Sequence, residues 1–115
     1  MVSTFPAILS AIYLGKYKIR SSGLEFYFHV PKKLVDPGLR KVRVVVRVDA
    51  SGCVDKTYHG STVMFRAVLT RIGGSSYRIK IPSRFRSMAS SIKDCGSIDV
   101  WIAPIFEDRG RGQGD

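Results

Sequence analysis

One phrase occurs twice in this chain. Residues 26–34 read FYFHVPKKL and residues 77–85 read YRIKIPSRF, each an alternating strand that runs into a Val-Pro or Ile-Pro step and then into a basic stretch. Pro31 and Pro82 lie 51 positions apart (82 − 31) in a chain of 115 residues. The spacing predicts an internal duplication in which two halves share one core, because a half of this length buries too little apolar surface to fold alone. We therefore expect one domain over residues 1–105, made of repeats at about 11–58 and 62–105, with a mobile polar tail over 106–115.

The local patterns of the two halves follow the same plan. In the first, Ile12 to Arg20 reads as a strand with Lys16, Lys18 and Arg20 on a wet face, Ser21-Ser22-Gly23 as a turn, and Glu25 to Val30 as the returning arm of a hairpin. Pro31 can open a helix, since its missing N–H is not needed at the first helical position, but Pro37-Gly38 ends it early. Val42, Val44, Val46 and Val48 alternate with Lys41, Arg43 and Arg47 as a half-buried strand. Asp49 to Gly52 is turn chemistry, and Cys53 to Tyr58 is expected to return as a strand. In the second half, Val63 to Arg71 and Tyr77 to Ile81 are strands around the turn Gly73 to Ser76, with Tyr77, Ile79 and Ile81 inward and Arg78 and Lys80 outward. Phe85, Met88, Ala89 and Ile92 have the spacing of an amphipathic helix over Ser83 to Lys93, Gly96 is placed to cap it, and Ile98, Val100 and Ile102 form a closing strand.

Two differences between the copies are readable. The Pro-to-Gly distance is 7 in the first (38 − 31) and 14 in the second (96 − 82), which predicts one short and one longer helix. The first strands align better at an offset of 50 than at 51, so one hairpin turn should be a residue longer. Residues 1–10, interrupted by Pro6, fit either an edge segment or a short helix.

Charge narrows the function. Nineteen Lys and Arg against nine Asp and Glu give a net charge of +10, enough to attract polyanions. Cys53 and Cys95 are the only cysteines, without a Cys-x-x-Cys pair or a His at ligand spacing, so no metal or cofactor is expected; a bridge and two free thiols remain open. The apolar run Phe5 to Leu14 has no preceding Lys or Arg and no cleavage pattern after it, and nothing reaches the eighteen or so apolar residues of a membrane span. A cytoplasmic protein without a membrane partner is the expectation. Catalysis is not expected: His29 and His59 are isolated, and no nucleophile elbow or phosphate loop is present. Tyr58-His59-Gly60-Ser61 resembles the Gly-Ser self-cleavage step of pyruvoyl-dependent aspartate decarboxylases, but its neighbours do not match.

The order strand, Gly-containing turn, strand ending in Ile-Pro, Arg-bearing helix, Gly and closing strand, carried by RAVLTRIGGSSYRIKIPSRFRSMASSIKDCGSIDVWI at residues 66–102 and more weakly by residues 16–48, resembles the AbrB/MazE/SpoVT repeat and the related double-psi half. The resemblance implies a mainly β, pseudo-twofold cradle-loop barrel of swapped-hairpin or double-psi type. Here both repeats are in one chain, so a monomer would close its own barrel, with further dimerisation left open. It also implies DNA binding through basic residues of the first hairpin, placing Arg71 and Arg78 around the second turn and Arg20 where Arg71 stands, with Tyr27 replacing the second arginine.

The candidate polyanion surface is Lys16, Lys18, Arg20, Arg66, Arg71, Arg78 and Lys80, since Arg in particular makes forked, charge-assisted bonds to phosphate. Lys32, Lys33, Arg84 and Arg86 form a second basic group, and Tyr13, Tyr17 and Tyr27 interleave with cations in a way that suits base stacking or plain packing. The expected function is nucleic-acid binding, with DNA ahead of RNA, as a transcriptional regulator or chromatin-like protein. The alternative is a non-catalytic module that binds a protein complex or ribosomal RNA.

Overall fold

The computed structural model describes residues 11–105, so the expectations for 1–10 and for the tail lie outside the described residues. The chain is mainly β, in two antiparallel four-stranded sheets. Sheet A has the spatial order β1 (Ile12–Tyr17), β8 (Ser97–Pro104), β4 (Lys41–Asp49), β5 (Thr62–Val68). Sheet B has the order β2 (Arg20–Ser22), β3 (Glu25–Pro31), β7 (Ser76–Ile81), β6 (Thr70–Ile72). Among the described residues no ladder joins the two sheets into a closed barrel.

Alternation decides which face each strand buries. Val42, Val44, Val46 and Val48 of β4, Ile98, Val100 and Ile102 of β8, Phe28 and Val30 of β3, and Tyr77, Ile79 and Ile81 of β7 all enter one buried cluster. Each such side chain contributes about 1.5–3 kcal/mol by leaving water. Met88, Ala89 and Ile92 close this core from α1 (Arg86–Ile92), which follows a single 3-10 turn at Ser83–Phe85. The first half has only the 3-10 turn Lys32–Leu34 at the matching place, so its helix is the shorter one, as the Pro-to-Gly distances predict.

The strand pairing interleaves the two halves of the chain. In sheet B the two hairpins meet through β3 and β7, and Phe28 lies opposite Ile79, its own counterpart 51 positions on (79 − 28). In sheet A, β1 of the first half pairs with β8 of the second, while β5 of the second pairs with β4 of the first. The halves are therefore interleaved, and neither has a core without the other. The hairpin turns differ as the offset predicts: Gly23-Leu24 separates β2 from β3, whereas residues 73–75 separate β6 from β7. Gly23 at φ 62° and Gly73 at φ 61° occupy the left-handed region that such tight turns require.

Three expectations are corrected. Cys53 to Tyr58 is not a strand but a series of turns, because the Asp55 carboxylate accepts hydrogen bonds from the Thr57 amide and hydroxyl, which compete with a ladder. The strands foreseen over Ile12 to Arg20 and Val63 to Arg71 each break in two, at Lys18-Ile19 and at Leu69. Ile19 and Leu69, 50 positions apart (69 − 19), are buried at these breaks, so each long strand passes from sheet A to sheet B by turning one apolar side chain into the core. The helix foreseen over Ser83 to Lys93 is α-helical only from Arg86 to Ile92. Gly96 does close it, donating its amide to the Ile92 carbonyl, and it is also a close-approach residue: a Cβ there would lie 2.7 Å from the Asp49 carbonyl oxygen.

Candidate nucleic-acid interface

The seven basic residues foreseen as one surface do not share a face: Lys16 and Arg66 point outward on sheet A, Arg20, Arg78 and Lys80 outward on sheet B, Arg71 lies on the other side of the sheet B ladder, and Lys18 lies at the break between β1 and β2. On sheet B, Arg20 lies opposite Tyr27, and Arg78 lies opposite His29 and Thr70. Arg71 lies opposite the buried Tyr77, which places it on the other side of the ladder from Arg78. The extra turn residue is the cause. It makes Thr70, not Arg71, the counterpart of Arg20, so the two arginines around the second turn do not share a face.

Most charge on the sheet B face is already engaged. The Arg78 guanidinium sits 4.2 Å over the Tyr27 ring and its Nε donates a long hydrogen bond of 3.5 Å to Nε2 of His29. Tyr27 and His29 stack at 5.3 Å. Burial first, then the positive fields of Arg20 and Arg78, hold the His29 pKa below its ordinary value, so the imidazole is a neutral acceptor at neutral pH. Lys80 pairs with Glu25 at 2.9 Å. Lys18, at the break between β1 and β2, donates to the Gly96 carbonyl at 3.4 Å.

Sheet A presents a different arrangement. A bulge at Leu14 shifts the register between Tyr13 and Gly15, which lets Tyr13 and Lys16 both point outward although they are three positions apart. Tyr13 then lies opposite Trp101, Trp101 opposite Val45, and Val45 opposite Met64, so one row crosses all four strands. Tyr13 and Met64 are about half exposed, at 52% and 50%. The Tyr13 and Trp101 rings are 5.1 Å apart and tilted by 49°.

The rows on either side are polar. On one side Lys16 bridges Asp49 at 3.0 Å and Asp99 at 3.3 Å, while the Tyr13 hydroxyl donates to Asp99 at 2.7 Å. The hydroxyl and amide of Ser51, then Lys16, hold the Asp49 carboxyl well below the ordinary carboxylate range. Tyr13 is raised, chiefly because it donates to Asp99. On the other side Arg43 of β4 stands directly opposite Arg66 of β5. Neither makes an ion pair or a side-chain hydrogen bond with another described residue. Beside them lies a cavity of about 260 Å³ lined by Lys41, Arg66, Ala67, Val68 and Ile105.

Of the seven foreseen residues, only Arg66 sits in this Arg-bearing row; Lys16 and Lys80 are neutralised by carboxylates. Arg43 and Trp101 were not foreseen as site residues. The alternation of β4 shows that Arg43 points outward, but only the pairing of β4 with β5 and β8 brings it beside Arg66 and Trp101. The Tyr58 to Ser61 segment is accounted for by backbone contacts, with His59 Nδ1 accepting from the Ala50 amide at 3.0 Å and the Gly60 amide donating to the Val48 carbonyl. Cys53 and Cys95 form a disulfide that ties this loop to the end of α1. Among the described residues no helix is long and apolar enough to cross a membrane. No family model matches the chain, and no curated protein or solved structure matches it either.

Proposed function

We propose that the protein binds nucleic acid through the outer face of sheet A. The observation that carries this reading is the Arg43–Arg66 pair: two like charges directly opposite each other across a ladder, without a described carboxylate to offset them. Such a pair is destabilising by roughly 0.2–1 kcal/mol relative to neutral neighbours. A phosphate between the two guanidinium groups turns that repulsion into two charge-assisted bonds. The net charge of +10 brings polyanions to the surface, and the face then holds them.

A regulatory or chromatin-like role, and the view that the two interleaved sheets are the walls of a cradle-loop arrangement, belong to the same proposal. The repeat-related pairing of Phe28 with Ile79 supports the latter. A second reading, a protein-binding module, is favoured by one observation: Tyr13, Trp101, Met64 and Arg66 are residue types enriched where proteins meet.

Fluorescence anisotropy of labelled duplex and single-stranded oligonucleotides, titrated at several salt concentrations, separates these. One phosphate held between the two arginines gives a log-log salt slope at least as steep as about −0.7 for a single strand. Absence of binding to either form at low salt overturns the proposal.

A further inference from the structure

We infer that the sheet A face takes single-stranded nucleic acid, with unpaired bases stacking on Trp101 and Tyr13; this rests on the reading of that face as a nucleic-acid interface. The row Tyr13, Trp101, Val45, Met64 runs across the four strands, and the Arg43–Arg66 pair is the next outward row along β4 and β5. Because Trp101 lies opposite Val45, Arg43 and Trp101 are diagonal neighbours on adjacent strands, about 7–8 Å apart, which is within the reach of one nucleotide from its phosphate to its base. An arginine pair and an aromatic row at that spacing offer one nucleotide both a charge partner and a stacking partner.

The apolar row is what selects the single strand. A duplex brings phosphates to Arg43 and Arg66, but its base faces are covered by their neighbours, and Trp101 and Tyr13 are left without a partner. An unpaired base has a free π face, and stacking on an aromatic side chain tolerates any sequence. Tyr13 is held ready for this: its hydroxyl is tied to Asp99 at 2.7 Å, and its ring is tilted against Trp101 rather than laid flat on it. A second copy of the chain fits the face less well. A second copy carries the same net charge of +10, and that like charge opposes its docking.

Trp101 is the only tryptophan in the chain, so its emission reports this site alone. The full-length protein is titrated with oligothymidylate, with an abasic strand of the same length, and with a matched duplex, following both tryptophan emission and anisotropy of the labelled strand. Oligothymidylate quenches the emission and binds at least roughly 5-fold more tightly than the abasic strand, the gain expected from a stacked base. Trp101→Leu reduces that preference to the share left on Tyr13 without changing the salt slope, whereas Trp101→Phe retains most of it. Equal affinity for the thymidylate and abasic strands, or binding without quenching, overturns the stacking inference while the phosphate reading stands. Failure to bind any of the three overturns the underlying reading instead. A concentration-dependent dimer abolished by Trp101→Leu, with nucleic-acid affinity untouched, assigns the face to a second copy and also overturns the inference. The abasic comparison requires no variant, so it decides the matter even if Trp101→Leu fails to fold.

Discussion

Both sheets turn basic residues outward, yet their outer faces differ in how those cations are engaged. On sheet B, Arg78 is spread over Tyr27 and joined to His29, and Lys80 is matched by Glu25. On sheet A, the carboxylates Asp49 and Asp99 gather around Lys16 and Tyr13, which leaves Arg43 and Arg66 facing each other. A count of positive charges does not distinguish these faces. What distinguishes them is whether each cation already has a partner, because a satisfied cation must lose that partner before it can hold a phosphate.

Sheet A is also the stapled sheet, which gives the largest expected effect. The Cys53–Cys95 bridge spans 42 residues and joins the loop after β4 to the turn before β8. Reduction should lower global stability by about 2–4 kcal/mol, measured by urea unfolding with and without reductant. Amide exchange should rise first near Asp49 and Ser97, where β4 and β8 begin to pair, before it rises in β3 and β7. Equal loss of protection in both sheets would remove the asymmetry.

Next in size is the contrast between arginine pairs. Arg43→Ala with Arg66→Ala should weaken single-strand binding by roughly 5-fold at about 0.1 M salt, since losing the phosphate shared by the two arginines forfeits a factor of about 10 to the power 0.7. The same double variant should be slightly more stable than the parent, by up to about 1 kcal/mol, because a cross-strand repulsion is gone. Arg78→Ala should do the reverse, leaving binding nearly unchanged while costing about 0.5–1 kcal/mol through the lost contact with Tyr27. If Arg78→Ala proves the more damaging to binding, sheet B is the interface.

The smallest effects are in pH. The folded His29 pKa lies below the ordinary imidazole value of 6.5, so the unfolded chain takes up that proton first. Stability linked to His29 is therefore present above about pH 6.5 and falls as pH drops through that value, and His29→Gln should remove the dependence. Asp49 is depressed from 3.8, so its contribution is present above that pH and is lost only below it. Thermal midpoints recorded from pH 8 to pH 2 should thus show a sheet B decline beginning below about pH 6.5 and a sheet A decline beginning below about pH 4, the latter diminished by Asp49→Asn.

Much of the fold was legible from residue order. Valines at alternate positions of β4 have one apolar face in any register, and a 51-residue echo of the Pro-terminated strand requires two halves to share a core. Even the unequal hairpin turns could be read from the offset. The loop at Cys53 to Tyr58 could not, because local hydrogen bonds from Asp55 and a bridge to a residue 42 positions away outweigh an indifferent strand pattern. Nor could the site: Arg71 and Arg78 look like a pair beside their turn, and one added turn residue sends them to opposite sides.

By itself, then, the sequence determined most of the strands, their apolar faces, the unequal hairpin turns and the excess of positive charge, because each depends on local spacing or on totals. Tertiary structure alone decided which cations are neutralised and which stand together. Arg43 and Arg66 are 23 positions apart (66 − 43), and Tyr13 and Trp101 are 88 apart (101 − 13), yet each pair becomes neighbours through strand register. Register is set by how two whole faces pack into a common core, a property of the interleaved halves that neither half carries alone.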